Sequence, residues 1–171
     1  MSRTDWVERD VMKLILGALT LENRLAITVS LVSGLRISDV LNIRTRQLRQ
    51  ESFTVTEQKT LKRRSIRLPQ KLRSELLQIA GQVYVFEGRL SPLRPRTRQA
   101  VYKDIKRAAK AFRVKLNVAP HSARKIYAVE EYRRDMNINR VKKLLNHSNE
   151  AVTLIYIMAD QIAEKKRGSP K

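Results

Sequence analysis

Residue types that can bind, attack and protonate a phosphate ester recur along this 171-residue chain. The densest group is in the last third, where PHSAR (120–124) and LNHS (145–148) precede a tyrosine nine residues beyond the second histidine. The sequence has two histidines, and both lie in these segments. Upstream, GLRISD (34–39) and QKT (58–60) add an arginine and a lysine. In chain order, the candidate catalytic residues are Arg36, Lys59, His121, Arg124, His147 and Tyr156.

A tyrosine hydroxyl can attack a phosphodiester and form a covalent ester that keeps the bond energy, so the broken strand can be rejoined without ATP. Tyr156 is the candidate nucleophile, because a phenolate is also an acceptable leaving group when the strand is resealed. By periodicity alone, within VTLIYIM (152–158), it would be a core tyrosine. Two arginines can neutralise the non-bridging phosphate oxygens through paired hydrogen bonds, and Arg36 and Arg124 fit that task.

The remaining candidates are suited to proton transfer. A lysine on a hairpin can protonate the departing oxygen; Lys59 is favoured, and Lys62 is the alternative. His121 and His147 can act as a base near the tyrosine and as a further donor to the phosphate. This chemistry needs no metal or other cofactor, and the sequence has no carboxylate cluster of the kind that binds two metal ions.

Taken together and in this order, ending in His-x8-Tyr, the motifs resemble those of tyrosine recombinases of the phage-integrase type, from about residue 10 to about residue 160. The resemblance implies a site-specific recombinase or integrase that cleaves and rejoins double-stranded DNA at specific sites through a 3′-phosphotyrosyl intermediate. It further implies assembly into a tetramer on DNA, for which the segment IMADQIAEKKRG (157–168) is a candidate docking arm. The implied location is the cytoplasm, as a nucleoid-associated protein or one encoded by a virus or mobile element.

In this family an acidic residue supports the first arginine, and Asp39 matches it. The alternative for Asp39 is an ordinary charge in the first turn of a helix. The sequence departs from the family pattern at Asn146, where glycine is usual, and at Leu61, where glycine often follows the threonine. Three other functions stay open: a DNA-binding regulator with the same fold, a topoisomerase-like enzyme that nicks and closes DNA, and a basic ribosomal or architectural protein.

The net charge of +20 indicates a polyanionic partner, because its distribution is uneven. Residues 1–43 carry five basic and five acidic side chains. Residues 44–73 carry ten basic and two acidic side chains, and residues 89–115 carry ten basic and one acidic. Double-stranded DNA is the predicted partner. The basic residues predicted to contact it are Lys62, Arg63, Arg64, Arg94, Arg96 and Arg98.

The periodicity of apolar residues predicts a mainly α fold with a small antiparallel β-sheet (α+β), that of a tyrosine-recombinase catalytic domain. Helices are expected over 5–18, capped by Asp5, and over 21–33, ended by Gly34, with others over 37–44, 70–80, 97–112, 121–134, 138–146 and 150–166. Thr97 is expected to act as a helix cap, and Asn137, Asn139 and Asn149 are expected to act as turn or cap residues between the last helices. The pattern predicts a hairpin from 52–57 and 65–68, a strand over 83–86 and a loop over 89–98.

We expect one catalytic domain over residues 1–171, with residues 166–171 as a disordered tail and without the N-terminal core-binding domain usual in the family. No apolar run has the length of a transmembrane helix, so no membrane association is expected. The chain has no cysteine, which excludes disulfides and thiolate metal sites.

Overall fold

The computed structural model describes residues 4–145. This part of the chain is mostly helical, with two short hairpins inserted between the helices. Helix α2 lies at the centre and is buried along much of its length, packing against α6, α3, α4 and α5. The helices are α1 Arg9–Gly17, α2 Leu21–Ser33, α3 Ile37–Leu41, α4 Gln70–Ile79, α5 Arg98–Ala111, α6 Pro120–Asp135 and α7 Ile138–Leu144.

The first hairpin pairs β1 (Ser52–Thr56) with β2 (Arg63–Arg67), and its register places Phe53 opposite Ile66 and Val55 opposite Arg64. Alternation along β1 buries Phe53 and Val55 against the helices, as the sequence pattern predicts for a half-buried strand. The second hairpin pairs β3 (Glu87–Gly88) with β4 (Ser91–Pro95). These pairings confirm the predicted α+β class and the existence of the first hairpin, whose second strand begins at Arg63, two residues before its predicted start.

Gly34 ends α2, as expected, and its φ of +66° is a conformation that glycine adopts without steric cost. Its N–H donates to Ser30 O at 2.9 Å. A β-carbon on Gly34 would lie 2.4 Å from Cδ1 of Tyr127, so the glycine also allows α6 to approach the end of α2 closely. Both features position the turn that leads into Arg36.

Two predicted helix caps are confirmed: Thr97 Oγ1 accepts from Ala100 N at 3.2 Å, and Asn137 Oδ1 accepts from Arg140 N at 3.0 Å. Asn139 was wrongly predicted as a turn or cap residue, because it lies inside α7, and Asn149 lies outside the described residues. The prediction that Asp5 caps the first helix was wrong. Helix α1 begins four residues later, at Arg9, and the Asp5 carboxylate accepts instead from Asn117 N at 2.7 Å. This bond fastens the N-terminal segment to the loop before α6.

Other boundaries also differ from the prediction. The third helix ends at Leu41, and a 3₁₀ turn over Thr45–Arg49 follows it. The expected strand over 83–86 is reduced to a single bridge between Tyr84 and Arg44. The expected loop over 89–98 contains β4, whose prolines are tolerated because a two-stranded ribbon leaves one edge of each strand unpaired.

One hydrophobic core runs through the helices and under the first hairpin. A smaller cluster joins α6 to α7 through Ala128, Tyr132, Val141 and Leu145. Within residues 4–145, no helix is both long enough and apolar enough to cross a membrane.

Candidate active site

Arg36 lies at the junction of α2 and α3, where it is the residue preceding the first turn of α3. Its Nη1 donates to Oε2 of Glu57 at 2.5 Å, and its side chain is only 17% exposed. A guanidinium at such a position needs an anionic partner, because burying an unpaired charge is costly. Glu57 supplies that partner.

Glu57 is fully buried and lies at the centre of what we call the Glu57 cluster, which consists of Arg36, Glu57, Thr60 and Arg64. Its Oε2 also accepts from Thr60 Oγ1 at 3.2 Å, and its Oε1 accepts from Arg64 Nη1 at 3.3 Å. Burial acts to raise the pKa of Glu57, but the nearby charges of Arg124, Arg64 and Arg36 outweigh it and lower the pKa below the ordinary value of 4.5. The carboxylate is therefore held ionised.

Sequence reasoning missed Glu57, although a signal was present. In SFTVTE (52–57) the inward positions are Phe53, Val55 and Glu57, so the alternation that identifies the strand also places an acid on its buried face. An acid at such a position needs cationic partners nearby.

Asp39 is also buried, so it is not an ordinary solvated charge at the start of a helix. Its Oδ1 accepts from the main-chain N–H of Gln58 at 2.9 Å. Burial raises the pKa of Asp39, and the bond from Gln58 partly opposes that rise. Asp39 therefore holds the hairpin loop, while the carboxylate that contacts Arg36 belongs to Glu57.

Lys59 is exposed and lines a cleft of about 400 Å³ beside the loop of the first hairpin. Arg36 lines the same cleft, so these two predicted site residues come together. Lys62 is exposed at the end of the same loop and is not among the lining residues. The cleft is lined by Arg36, Ser38, Leu41, Asn42, Gln58, Lys59, Arg96 and Arg98.

Arg124 lies in the second turn of α6 and is 1% exposed. Its Nη1 donates to the carbonyl oxygen of Gly34, and its Nη2 donates to that of Leu145 at 2.8 Å. Its Nε is buried and has no hydrogen-bond acceptor among residues 4–145. Burial and the charge of Arg36 lower the pKa of Arg124 to about 10, which leaves the guanidinium protonated at neutral pH.

His121 is half-buried in the first turn of α6, one helical turn before Arg124. The N-terminal end of a helix favours an anion, because its first N–H groups have no partner within the helix. The predicted residues His147 and Tyr156, the 157–168 segment and the predicted 150–166 helix lie outside the described residues.

The basic residues predicted to contact DNA occupy different environments. Lys62, Arg63 and Arg94 are exposed on the two hairpins, and Arg98 is exposed at the first position of α5. Arg64 differs from the expectation of a solvent-facing hairpin tip. Its side chain is 12% exposed and turned inward, because its register partner Val55 faces the core and paired residues share a face.

Arg96 is held in the cleft by a side chain that sequence reasoning did not identify. Its Nε donates to Asn23 Oδ1 at 2.6 Å, and Asn23 Nδ2 donates to Asp104 Oδ2 at 2.7 Å. Asn23 is 2% exposed. The position of Asn23 on an apolar helix gave no indication of its contact with Arg96, since Arg96 lies 73 residues away in the sequence.

The described part of the site is strongly cationic, with Arg36, Lys59, Arg96 and Arg98 around one open cleft and Arg124 nearby in the interior. No group of three or more metal-ligating side chains is present among residues 4–145. Such a cleft can bind a phosphate group and stabilise negative charge on it.

Residues 5–162 match the model of the phage integrase family. A tyrosine recombinase of Thermosipho africanus is 33% identical, over 92% of this chain and 58% of that protein. The probable integrase/recombinase YoeC of Bacillus subtilis is 28% identical, over 75% of this chain and 73% of that protein. The tyrosine recombinase XerA of Pyrococcus horikoshii is 28% identical, over 87% of this chain and 54% of that protein. The chain thus spans little more than half the length of two of these relatives.

The fold is shared with solved structures of recombinases. A lambda integrase dimer bound to a COC' core site superimposes with a TM-score of 0.72 at 19% identity, over 91% of this chain and 60% of that one. The XerA recombinase superimposes with a TM-score of 0.69 at 18% identity, over 99% of this chain and 68% of that one. At these identities the likeness shows the fold alone. Together with the match over residues 5–162, it confirms the resemblance inferred from the motifs: this chain belongs to the phage integrase family.

Proposed function

We propose that this chain is the catalytic domain of a site-specific DNA recombinase that cleaves and rejoins strands through a 3′-phosphotyrosyl intermediate. The observation that carries the proposal is the convergence of Arg36 and Lys59, from separate elements, on one cleft that also contains Arg96 and Arg98. Relatives in the family are named as recombinases, and one structural neighbour is a recombinase bound to its DNA substrate before cleavage.

In this proposal Arg36 binds a non-bridging oxygen of the scissile phosphate. One donor of its guanidinium is committed to Glu57, and others remain for the cleft. Arg124 adds a second positive charge, and its unpartnered Nε–H is a donor that a phosphate oxygen can satisfy. His121, at the start of α6, supplies a further donor to the phosphate or acts as a base.

Lys59 is the proposed general acid. It lines the cleft beside Arg36, whereas Lys62 does not, and this supports Lys59 over Lys62 for protonating the 5′ oxygen as the phosphorus–oxygen bond breaks. When the strand is rejoined, the neutral amine takes that proton back from the attacking 5′ hydroxyl. His147 completes the set as a second donor to the phosphate.

Tyr156 is the proposed nucleophile, and the environments of the other four tyrosines support it. Tyr84 and Tyr132 are buried, and Tyr102 is exposed on α5 beside Lys106. Tyr127 is half-buried near Arg64, but burial and the charge of Glu131 raise its pKa, which makes it a poorer nucleophile.

DNA is the proposed substrate, held across the cleft by Arg96 and Arg98 and along the hairpins by Lys62, Arg63 and Arg94. We further propose assembly into a tetramer through the 157–168 segment. A lambda integrase tetramer bound to a Holliday junction has the same fold, with a TM-score of 0.72 at 18% identity, and supports the tetramer. The role of the 157–168 segment rests on the sequence.

Covalent trapping tests the proposal. The protein is incubated with nicked duplexes prepared from its source genome, denatured, and examined for DNA that stays attached. We expect an adduct with the wild-type chain and with Tyr102→Phe, which alters an exposed tyrosine, and none with Tyr156→Phe. An adduct that survives Tyr156→Phe would reject this nucleophile. Salt-sensitive binding without any adduct would favour a DNA-binding regulator. In a parallel incubation with supercoiled circles, relaxation without new joints would favour a nicking and closing enzyme.

A further inference from the structure

Two hydrogen bonds join the start of α3 to the loop of the first hairpin. Arg36 Nη1 donates to Glu57 at 2.5 Å, and Gln58 N donates to Asp39 at 2.9 Å. Consecutive residues of the hairpin are thus bound to residues 36 and 39 of the helical segment. Lys59 is the next residue in the chain.

A third connection comes from the other strand of the hairpin. Arg64 Nη1 donates to Glu57 at 3.3 Å, and its Nη2 donates to the carbonyl oxygen of Ser33 at 2.8 Å. Both strands are therefore bound to the junction of α2 and α3, and Glu57 takes part in the contacts from each side. Glu57 is fully buried and does not line the cleft, so it lies behind Arg36.

The loop between the strands is also closed on itself. Glu57 N donates to Lys62 O at 3.0 Å, and Leu61 N donates to Glu57 O at 2.8 Å. Leu61 has a left-handed φ of +55°, which allows this tight closure without a glycine. A loop with internal main-chain bonds and side-chain bonds at its base has little freedom to move relative to α3.

We propose that Glu57 is a positioning residue for strand cleavage: its carboxylate holds Arg36 and the base of the Lys59 loop together, so that the phosphate-binding group and the general acid keep a fixed separation. The proposal rests on the proposed function for its consequence in catalysis. Its structural part, that Glu57 fixes the loop, does not depend on DNA.

The charges of the cluster explain why a carboxylate is needed at this point. Arg36, Arg64 and Arg124 lie close enough for each of the other two to lower the pKa of Arg124, and Glu57 opposes that effect. Without the Glu57 charge, the arginines repel one another across a buried space. The loop then loses its connection to Arg36, and the bond from Gln58 N to Asp39 is left to hold it at the start of α3.

Hydrogen exchange in the absence of DNA tests the structural part. Glu57→Gln keeps the shape of the side chain and removes its charge. We expect the amide of Gln58 and the amides of the 57–62 loop to exchange at least about tenfold faster than in the wild type, since hydrogen bonds to charged groups contribute about 1.5–3 kcal/mol. Glu131→Gln is the matched control, because Glu131 is also buried between two arginines, at 2.8 and 3.5 Å, on a different element. It should leave exchange in the loop unchanged.

Cleavage of a modified substrate tests the catalytic part. The duplex recovered by covalent trapping is synthesised with sulfur in place of the bridging 5′ oxygen at the scissile phosphate. Tyr156 forms the phosphorus–oxygen bond as the phosphorus–sulfur bond breaks, and sulfur leaves as a thiolate that needs no proton. We expect Glu57→Gln to cleave the oxygen substrate about 10²-fold more slowly, the loss typical of a misplaced catalytic group.

Sulfur should restore much of that loss for Glu57→Gln and for Lys59→Ala. Sulfur should restore none of the cleavage rate lost in Arg36→Ala, because the negative charge of the phosphate still lacks the arginine that binds it. Glu131→Gln should cleave both substrates at the wild-type rate. Wild-type exchange together with wild-type cleavage in Glu57→Gln would overturn the proposal, as would a cleavage defect that sulfur does not relieve.

If Glu57→Gln does not fold, Glu57→Asp keeps the charge but shortens the side chain, so the carboxylate cannot reach Arg36 and Arg64 from the same place. Faster exchange in the 57–62 loop and a cleavage defect relieved by sulfur are then expected, and wild-type behaviour in both would overturn the proposal. If the wild type forms no adduct with any duplex, the proposed function fails. The exchange experiment would still decide whether Glu57 positions the loop.

Discussion

Arg124 Nη2 donates to the main-chain oxygen of Leu145 at 2.8 Å, and Arg124 Nη1 donates to that of Gly34. A single guanidinium therefore connects the residue that ends α2 with the residue that ends α7. In the sequence, Leu145 directly precedes the Asn146-His147 segment. Arg124 thus has a structural role that is separate from any contact with phosphate.

Arg124→Lys keeps the charge but cannot reproduce the two divergent donors of a guanidinium. One buried carbonyl then loses its partner, and we expect the free energy of unfolding to fall by about 1–3 kcal/mol in urea denaturation. Arg134→Lys, an exposed change on the same helix, should stay within about 0.5 kcal/mol of the wild type. Equal stability of Arg124→Lys and the wild type would show that the two carbonyl bonds contribute nothing to the fold.

The junction at Gly34 gives a second stability prediction. Gly34→Ala places a β-carbon 2.4 Å from the Tyr127 ring and forces alanine to a φ of +66°. The left-handed conformation alone costs about 1–2 kcal/mol, so with the clash we expect a loss above about 2 kcal/mol in thermal or urea unfolding.

Gly17→Ala is the matched control for Gly34→Ala. Nothing lies within 4 Å of a β-carbon on Gly17, which ends α1, so alanine there should leave stability unchanged or raise it by up to about 1 kcal/mol. Replacing Tyr127 by alanine should rescue only the steric part of the Gly34→Ala defect. Complete rescue would contradict the backbone argument.

The cleft arginines lead to a prediction for DNA affinity. Arg98→Ala should weaken binding to duplex DNA of any sequence and lower the slope of log K against log salt by about 1, as expected for one lost phosphate contact. Lys71→Ala is the control, because Lys71 is exposed on α4 and does not line the cleft. Binding titrations at several salt concentrations measure the affinity and the salt slope of each variant. Equal losses in the two variants would mean that net charge, and not the cleft, determines the affinity.

The sequence predicted most helices and the first hairpin because local signals determine them. Helix α2 was predicted with its observed bounds, since a long apolar run ends at a glycine that must adopt a positive φ. The strand over 83–86 was wrong because its buried apolar run forms only one bridge, and the loop over 89–98 was wrong because a strand that contains prolines has no periodicity to recognise. The existence of such strands depends on pairing, which a local pattern does not encode.

The candidate site was predicted as a set of motifs, but their connections were not. The sequence placed Arg36 beside apolar helices, and a buried arginine implies an anion; the identity of that anion as Glu57 depends on the hairpin register. Arg64 was assigned to an exposed tip for the same reason, since the position of the turn decides which residues face inward. The bond between Asn23 and Arg96 joins distant segments and follows only from the packing of α2 against the loop before α5.

The buried carboxylates predict opposite effects of pH on stability. The pKa of Glu57 is lowered, so its ionised form stabilises the folded state above pH 4.5, and this contribution is lost as the pH falls through the folded-state pKa. The pKa of Asp39 is raised by burial, so its ionised form costs stability at neutral pH, and this cost is relieved on acidification.

We therefore expect Glu57→Gln to be less stable than the wild type at neutral pH, by about 3–5 kcal/mol for a broken buried pair, and to lose less further stability on acidification. Asp39→Asn should lose more stability than the wild type over the same acid range, because it lacks the opposing relief. Urea denaturation of the three proteins, from neutral pH down to about pH 3, measures how the free energy of unfolding of each changes with pH. Parallel pH profiles in all three proteins would mean that neither carboxylate has a folded-state pKa that differs from its ordinary value.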